Sequence, residues 1–250
     1  STYHEFRGFG TESERDTVGT VAVSYGLAMT AIAPATATLR VTEIYRSVQG
    51  ESTWAGLPCT FVRLARCHIR CVWCDTAYAF KGGTAMSIGT IVERCRELGV
   101  PLVELTGGEP LVQPECPALA QALLDAGFTV LVETSGTLPI ATLPDACITI
   151  MDLKCPDSGE CEKNDWSNIA ALSPRDEVKF VLASRRDYEW ARDVVREHRL
   201  DERVQAVLFS VAFGYVEPKD VVEWILEDAL NVRFQLQMHK FIWDPDEKSV

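Results

Sequence analysis

The chain has 250 residues, enough for one sizeable domain, and its 47% hydrophobic and 24% charged content is ordinary for a globular protein. A formal net charge of −12 argues against a nucleic-acid surface or an anionic membrane surface, both of which attract clustered Lys and Arg. No apolar run approaches the span of a bilayer. Residues 1–39 differ in texture from the remainder: 1–20 are polar and charged, and 31–38 form an Ala/Thr/Pro tract. This composition predicts a poorly ordered leader, with Met29 a candidate start, ahead of one folded domain over residues 40–250. Acidic residues precede the mildly apolar stretch 21–36, so it does not read as a secretory signal. Free cysteines without such a signal suit a reducing cytoplasm.

From Arg40 onward the pattern alternates. A strand over 41–46 runs into the loop Ser47-Val-Gln-Gly-Glu-Ser52, and a β-branched strand over 59–65 leads into a cysteine-rich loop. Ser87 caps a helix to about Leu98, with Ile88, Ile91, Val92, Cys95 and Leu98 on one face and Gly99 at its end. Strands over 101–105, 128–132, 148–153, 178–182, 204–209 and 232–238 follow, with helices over 115–126, 186–199 and 218–230. Strands alternating with helices imply parallel β-structure with right-handed crossovers. Stretches 134–146 and 153–178 hold no long helix, and the units fall short of eight. The expected fold is therefore α/β: a partial, incomplete TIM-like barrel of parallel βα units.

The stretch Cys67-His-Ile-Arg-Cys71-Val-Trp-Cys74 puts three cysteines within eight positions. Thiolates select zinc, Cu(I) or iron–sulfur clusters. A structural zinc site wants four protein ligands and a ferredoxin-type cluster four cysteines. This run offers three and lacks a second close pair. A [4Fe–4S] cluster held by three cysteines leaves one iron open; a zinc site completed by His68 or a distant cysteine is the alternative. An odd count of nine cysteines in a chain this long disfavours a disulfide framework.

Ligands of parallel α/β folds bind at the carboxyl ends of the strands. Those ends carry 67–75, Thr106-Gly-Gly-Glu-Pro110, Glu133-Thr-Ser-Gly136, Asp152-Leu-Lys-Cys-Pro-Asp-Ser-Gly159, Ser184, Ser210 and His239-Lys240. Singly, each has a plain explanation: a βα turn at Gly107-Gly108, a cap at Asp75-Thr76, an exposed strand position at Arg63. Random loops would not sort onto one rim, so together they read as an active site. The paired glycines let a backbone approach a ligand closely.

The three cysteines, with Trp73 before the last, resemble the cluster motif of the radical S-adenosylmethionine (radical SAM) enzymes, and Thr106–Pro110 is similar to their Gly-Gly-Glu-Pro motif. Ser47–Glu51, Phe61-Val-Arg63, Cys74-Asp-Thr76, Asp152–Gly159 and Phe234-Gln-Leu-Gln-Met-His-Lys240 resemble one family within them, the 7-carboxy-7-deazaguanine synthases, over about residues 41–243. The resemblance implies a lyase of queuosine biosynthesis that converts 6-carboxy-5,6,7,8-tetrahydropterin to 7-carboxy-7-deazaguanine with loss of ammonia. It implies a [4Fe–4S] cluster, SAM and Mg²⁺, an electron donor such as flavodoxin or ferredoxin, and a homodimer. By position, Cys67, Cys71 and Cys74 would hold the cluster, whose open iron chelates the amino and carboxylate groups of SAM. Trp73, Cys74, Asp75, Gly108, Asp152, Leu153 and Lys154 would lie against SAM. Val48, Gln49, Gly50, Arg63 and Thr106 would contact the pterin, with Thr76 on Mg²⁺. The implied chemistry is hydrogen abstraction from C6 by a 5′-deoxyadenosyl radical, ring contraction and regeneration of SAM. Two departures stand out: Arg66-Cys67-His68 replaces a common Gly-Cys-Asn, and Val211 replaces a common Pro. Rival readings are another radical SAM enzyme, such as a glycyl-radical activase, or a non-catalytic iron–sulfur or zinc protein.

Overall fold

The computed structural model describes residues 37–245 and 247–250. The expected leader lies outside the described residues except for its last three, of which Thr38 and Leu39 already belong to the first strand. The strands are β1 (Thr38–Val48), β2 (Pro58–Leu64), β3 (Thr84–Ser87), β4 (Leu102–Gly107), β5 (Thr129–Thr134), β6 (Ile148–Asp152), β7 (Glu177–Leu182), β8 (Ala206–Val211) and β9 (Arg233–Phe234). The helices are α1 (Ile88–Leu98), α2 (Cys116–Asp125), α3 (Asn168–Ala171), α4 (Arg185–His198), α5 (Leu200–Arg203), α6 (Pro218–Glu227) and α7 (His239–Ile242).

One sheet takes the order β3-β1-β2-β4-β5-β6-β7-β8-β9. From β2 to β9 every neighbouring pair is parallel. The order is linear, ending at β3 and β9, so the fold is an open, partial barrel, in agreement with the sequence. The beginning departs from it. β1 pairs antiparallel with both β2 and β3. No helix separates β1 from β2, and a nine-residue loop can only return the chain as a hairpin. β3 is short, polar and half exposed, and so carries no apolar pattern by which to recognise it. The expected strand 232–238 shrinks to two residues, because Met238 donates its backbone N–H to Gly50 O (2.9 Å) and His239-Lys240 opens a helical turn.

Helix α1 forms as its caps dictate: Ser87 Oγ accepts from Thr90 N at 3.1 Å, and Gly99 closes the helix at φ 68°. The long crossovers after β5 and β6 hold only short helical turns, as the composition predicted. The outer face of the sheet buries Val62, Leu64, Val130, Val132, Met151 and Phe180 under the helices. The inner face buries a second cluster: Cys59, Phe61, Val100, Leu102, Leu131 and Ile150, with Trp54 of the β1–β2 loop packed against it.

Candidate active site

Side chains alternate across a strand, so each inner apolar residue predicts its neighbour two positions on. Phe61 is followed on the same face by Arg63, Leu102 by Glu104 and Thr106, Leu131 by Glu133, and Ile150 by Asp152. β7 places Glu177, Lys179 and Val181 in one such row. The inner face is thus apolar at its amino end and charged at its carboxyl end. Over that charged end lies a cavity of about 680 Å³, inside the roughly 300–1,000 Å³ typical of small-molecule sites. Of the residues singled out in the sequence, Val48, Gln49, Gly50, Arg63, Cys67, Cys71, Trp73, Cys74, Asp75, Thr76, Thr106, Gly108, Asp152 and Lys154 all border it. Leu153 does not; its side chain is wholly buried in the core.

The cysteine loop is held from three sides. Arg66 donates its backbone N–H to Ala79 O and accepts from Glu109 N, and Val72 N donates to Ser158 O. Glu160 Oε1 accepts from Arg70 N at 2.7 Å, while the Arg70 guanidinium donates to Cys67 O and Ile69 O and covers the Phe80 ring at 4.2 Å. Arg66 has φ 80°, a region that favours glycine, so the departure from Gly-Cys-Asn places a strained residue here. All three cysteines are free and half exposed. Burial raises each thiol, that of Cys71 up to about 11; neighbouring thiols add to this at Cys67 and Cys71, and Asp75 at Cys74, while the cation of Lys154 opposes it at all three. Among the described residues no three His, Cys, Asp or Glu groups converge tightly enough to hold a single ion. Three thiols around one cavity, spaced too widely for one zinc, fit a cluster in which each thiolate meets its own iron.

The glycine pair serves the protein itself. A Cβ on Gly108 would lie 2.7 Å from Cys67 Cβ and closer still to Arg66 O, and one on Gly107 would strike Leu64 O. The end of β4 and the cysteine loop therefore touch backbone to backbone. Glu109 is fully buried and accepts from Thr134 Oγ1 (2.8 Å), Ser135 N (2.7 Å) and Ser135 Oγ (2.6 Å), tying the motif to the end of β5. Gly108→Ala is expected to displace the cysteine loop and to cut the iron bound after anaerobic reconstitution by more than half, as iron and sulfide analysis would measure. Full loading would contradict this reading of the contact.

Glu104 and Lys179, which no motif in the sequence marks, complete a charged floor with Glu51 and Glu133. Gln49 Nε2 donates to buried Glu104, Lys179 pairs with Glu51 (2.8 Å) and with Glu133, and Gln237 Nε2 donates to Glu51 Oε1 (3.0 Å). Burial, with Glu133 beside it, pushes the carboxyl of Glu104 well above its ordinary value. Burial also opposes charge on Glu133, but Lys179 prevails and holds it ionised. Asp152 and Lys154 pair at 2.8 Å, leaving Asp152 Oδ1 buried without a partner among the described residues. That orphan acceptor fits a ligand bearing hydroxyl or amino donors. The signal was present: a charged residue inside an apolar strand of a sheet covered on both faces has nowhere exposed to go.

At the rim, Arg63 donates through Nε to Glu43 (2.6 Å) and through Nη2 to Tyr45 OH (3.0 Å), leaving Nη1 for an anion. Desolvation opposes the charge of Asp75, yet Lys240 at 2.9 Å and Thr76 Oγ1 at 2.8 Å hold its carboxyl at about 2. Trp73 meets Tyr215 edge to face at 5.6 Å.

The profile of the radical SAM superfamily matches residues 62–225. A 7-carboxy-7-deazaguanine synthase of Koribacter versatilis is 47% identical over 226 residues, covering 85% of this chain and 100% of its own. One of Chlorobaculum tepidum is 45% identical over 217 residues, covering 86% and 98%. The chain belongs to the 7-carboxy-7-deazaguanine synthase family. The fold has a counterpart in the crystal structure of QueE from Escherichia coli, with TM-score 0.67 at 22% identity over 81% of this chain and 95% of that one. As a member of the radical SAM superfamily the chain carries the expectation of a [4Fe–4S] cluster and SAM, and its cysteine loop has the donor set for them. Among the described residues no helix is long and apolar enough to cross a membrane.

Proposed function

We propose that this member of the 7-carboxy-7-deazaguanine synthase family converts 6-carboxy-5,6,7,8-tetrahydropterin to 7-carboxy-7-deazaguanine and ammonia. The observation that carries the reading is one cavity bordered by three free thiols and by a floor of buried carboxylates. Cys67, Cys71 and Cys74 would hold the cluster. When bound, the cluster and SAM supply a primary carbon radical able to take a hydrogen atom from the pterin; the protein supplies orientation and excludes water. Asp152 Oδ1 offers SAM an acceptor, Lys154 holds Asp152 in place, and Trp73, Asp75 and Gly108 line the approach. No SAM contact is assigned to the side chain of Leu153, which faces the core.

The pyrimidine edge of a pterin presents several N–H donors, and Glu51, Glu104 and Glu133 present acceptors beside Gln49, Gly50 and Thr106. Val48 closes the same wall. Arg63 Nη1 is placed for the substrate carboxylate. Thr76 Oγ1 and Asp75 offer hard oxygens to Mg²⁺, which would keep further positions for that carboxylate. Thr76→Ala is expected to raise the Mg²⁺ concentration giving half-maximal turnover about tenfold, a loss suited to one ligand of a water-rich site. An unchanged Mg²⁺ response would remove Thr76 from this role.

The setting that goes with this reading is cytoplasmic, with a one-electron donor such as flavodoxin or ferredoxin and a second copy of the chain as partners. The test is direct. Protein reconstituted anaerobically and given SAM, dithionite and the pterin should release a deazaguanine acid and ammonia. SAM cleavage without that product would point to another radical SAM enzyme; no cleavage at all would favour a non-catalytic metal protein.

A further inference from the structure

The β1–β2 loop that carries Gln49, Gly50 and Glu51 also reaches the base of the inner face. There Glu177 is wholly buried, and among the described residues no cation lies within ion-pair distance of its carboxylate, Arg233 and Lys179 acting on it only from farther off. Its partners are Thr53 N, at 3.1 and 3.3 Å to its two oxygens, and Thr53 Oγ1. Two residues further along β7, Lys179 binds Glu51, which lies two residues before Thr53. The loop therefore lies along β7 on two rungs, Glu51 on Lys179 and Thr53 on Glu177, spanning positions far apart in the sheet order. Trp54 follows directly and packs into the inner apolar cluster. At its other end the loop is bounded by β4, through Gln49 and Glu104, and by the chain after β9, through Met238 N to Gly50 O.

Burying a carboxylate whose hydrogen-bond donors are all neutral and whose nearest cations lie beyond ion-pair distance is costly, and an apolar residue at this depth would cost the fold less. The acceptor geometry fits its presence, since a carboxylate offers two oxygens and no competing donor to the amide and the hydroxyl of one residue. Resting on the functional reading above, we propose that Thr53 and Glu177 form a latch that positions the pterin-facing segment Gln49–Glu51, making both of them positioning residues for substrate recognition. They border no part of the cavity themselves. Their effect passes through two peptide units to Glu51 and a third to Gly50.

The test uses the full chain, with Thr53→Val, Glu177→Gln and the double variant. Losing hydrogen bonds to a buried carboxylate should raise the KM for the pterin by about tenfold to a hundredfold, with the KM for SAM and the iron content unchanged. The double variant should be little worse than either single one, because both remove the same latch. Thr53→Ser, which keeps the hydroxyl, should restore a near-parental KM. Hydrogen exchange supplies a readout independent of turnover: amides of 49–54 should exchange at least about tenfold faster in Glu177→Gln, while β4 stays protected. Unchanged exchange at 49–54 would overturn the latch. Equal rises in both KM values, together with a general loss of protection, would overturn the positioning role in favour of a structural one. A parent protein that leaves the pterin unconverted would overturn the functional reading and the substrate half of this inference, while exchange would still decide the latch.

Discussion

Cys71→Ala should yield, after anaerobic reconstitution, a colourless protein that neither binds stoichiometric iron and sulfide nor cleaves SAM under reduction. The argument is geometric. Cys71 is half exposed, lies in a loop and, among the described residues, is hydrogen-bonded only through its backbone carbonyl, which accepts from Cys74 N at 3.2 Å. Truncating it leaves no buried cavity, so the apo protein should unfold within about 0.5 kcal/mol of the parent. Two remaining thiols cannot hold three corners of a cluster. Cys59→Ala is the matched control. Cys59 is fully buried in the inner apolar cluster, so its loss should cost about 1 kcal/mol of stability and leave colour and SAM cleavage intact. Opposite outcomes from one chemical change separate ligation from packing. Iron–sulfur absorbance surviving in Cys71→Ala, or one equivalent of zinc without sulfide in the parent, would refute the ligand assignment.

What the sequence made legible was set by where the physics is local. The parallel strands carry continuous Val, Ile and Leu because both faces of the sheet are covered, and such runs are visible without coordinates. Helix α1 announces its ends through Ser87 and Gly99. Most rim positions were legible for the same reason: a parallel sheet sends all its carboxyl ends one way, and residues from the ends of β2, β4, β5 and β6 meet His239 on a single cavity, while Ser184 caps α4 and Ser210 is buried away from it. The antiparallel start was not, because β1 and β3 meet across residues 49–83 and a polar strand such as Thr84–Ser87 has no pattern of its own. The role of Gly107-Gly108 was half legible. Closeness was foreseen, yet what comes close is the chain at Leu64 and Arg66. Glu104 and Lys179 lie inside strands and outside every motif at the strand ends, although burial on both faces already requires that they find partners such as Glu133.

That floor gives the second large effect. Lys179→Met should lower the stability of the apo protein by about 3–5 kcal/mol and abolish pterin turnover, because removing one member of a buried ionic set strands the others. The Lys179 side chain is 5% exposed and holds Glu51 and Glu133 together. Burial opposes its charge, but the two carboxylates raise its pKa well above the ordinary lysine value. In the parent, Glu133 is held below its unfolded pKa, so it contributes stability that is present above that value and lost on acidification. Without Lys179, burial and the nearby Asp152 act on Glu133 against the weaker pull of Lys154, and its folded pKa should rise above the unfolded one. The sign then reverses. The contribution is present below the unfolded pKa and is lost as pH rises through the folded value. Urea unfolding at several pH values should therefore show the deficit of Lys179→Met widening from about pH 5 to about pH 8. Adding Glu133→Gln and Glu51→Gln removes the stranded charges and should restore most of the stability, since a neutral buried set can match an ionic one. It should not restore turnover, because each amide keeps one acceptor oxygen but turns an N–H toward a pterin edge that presents donors of its own. A triple variant that regained both would mean that the floor serves the fold alone.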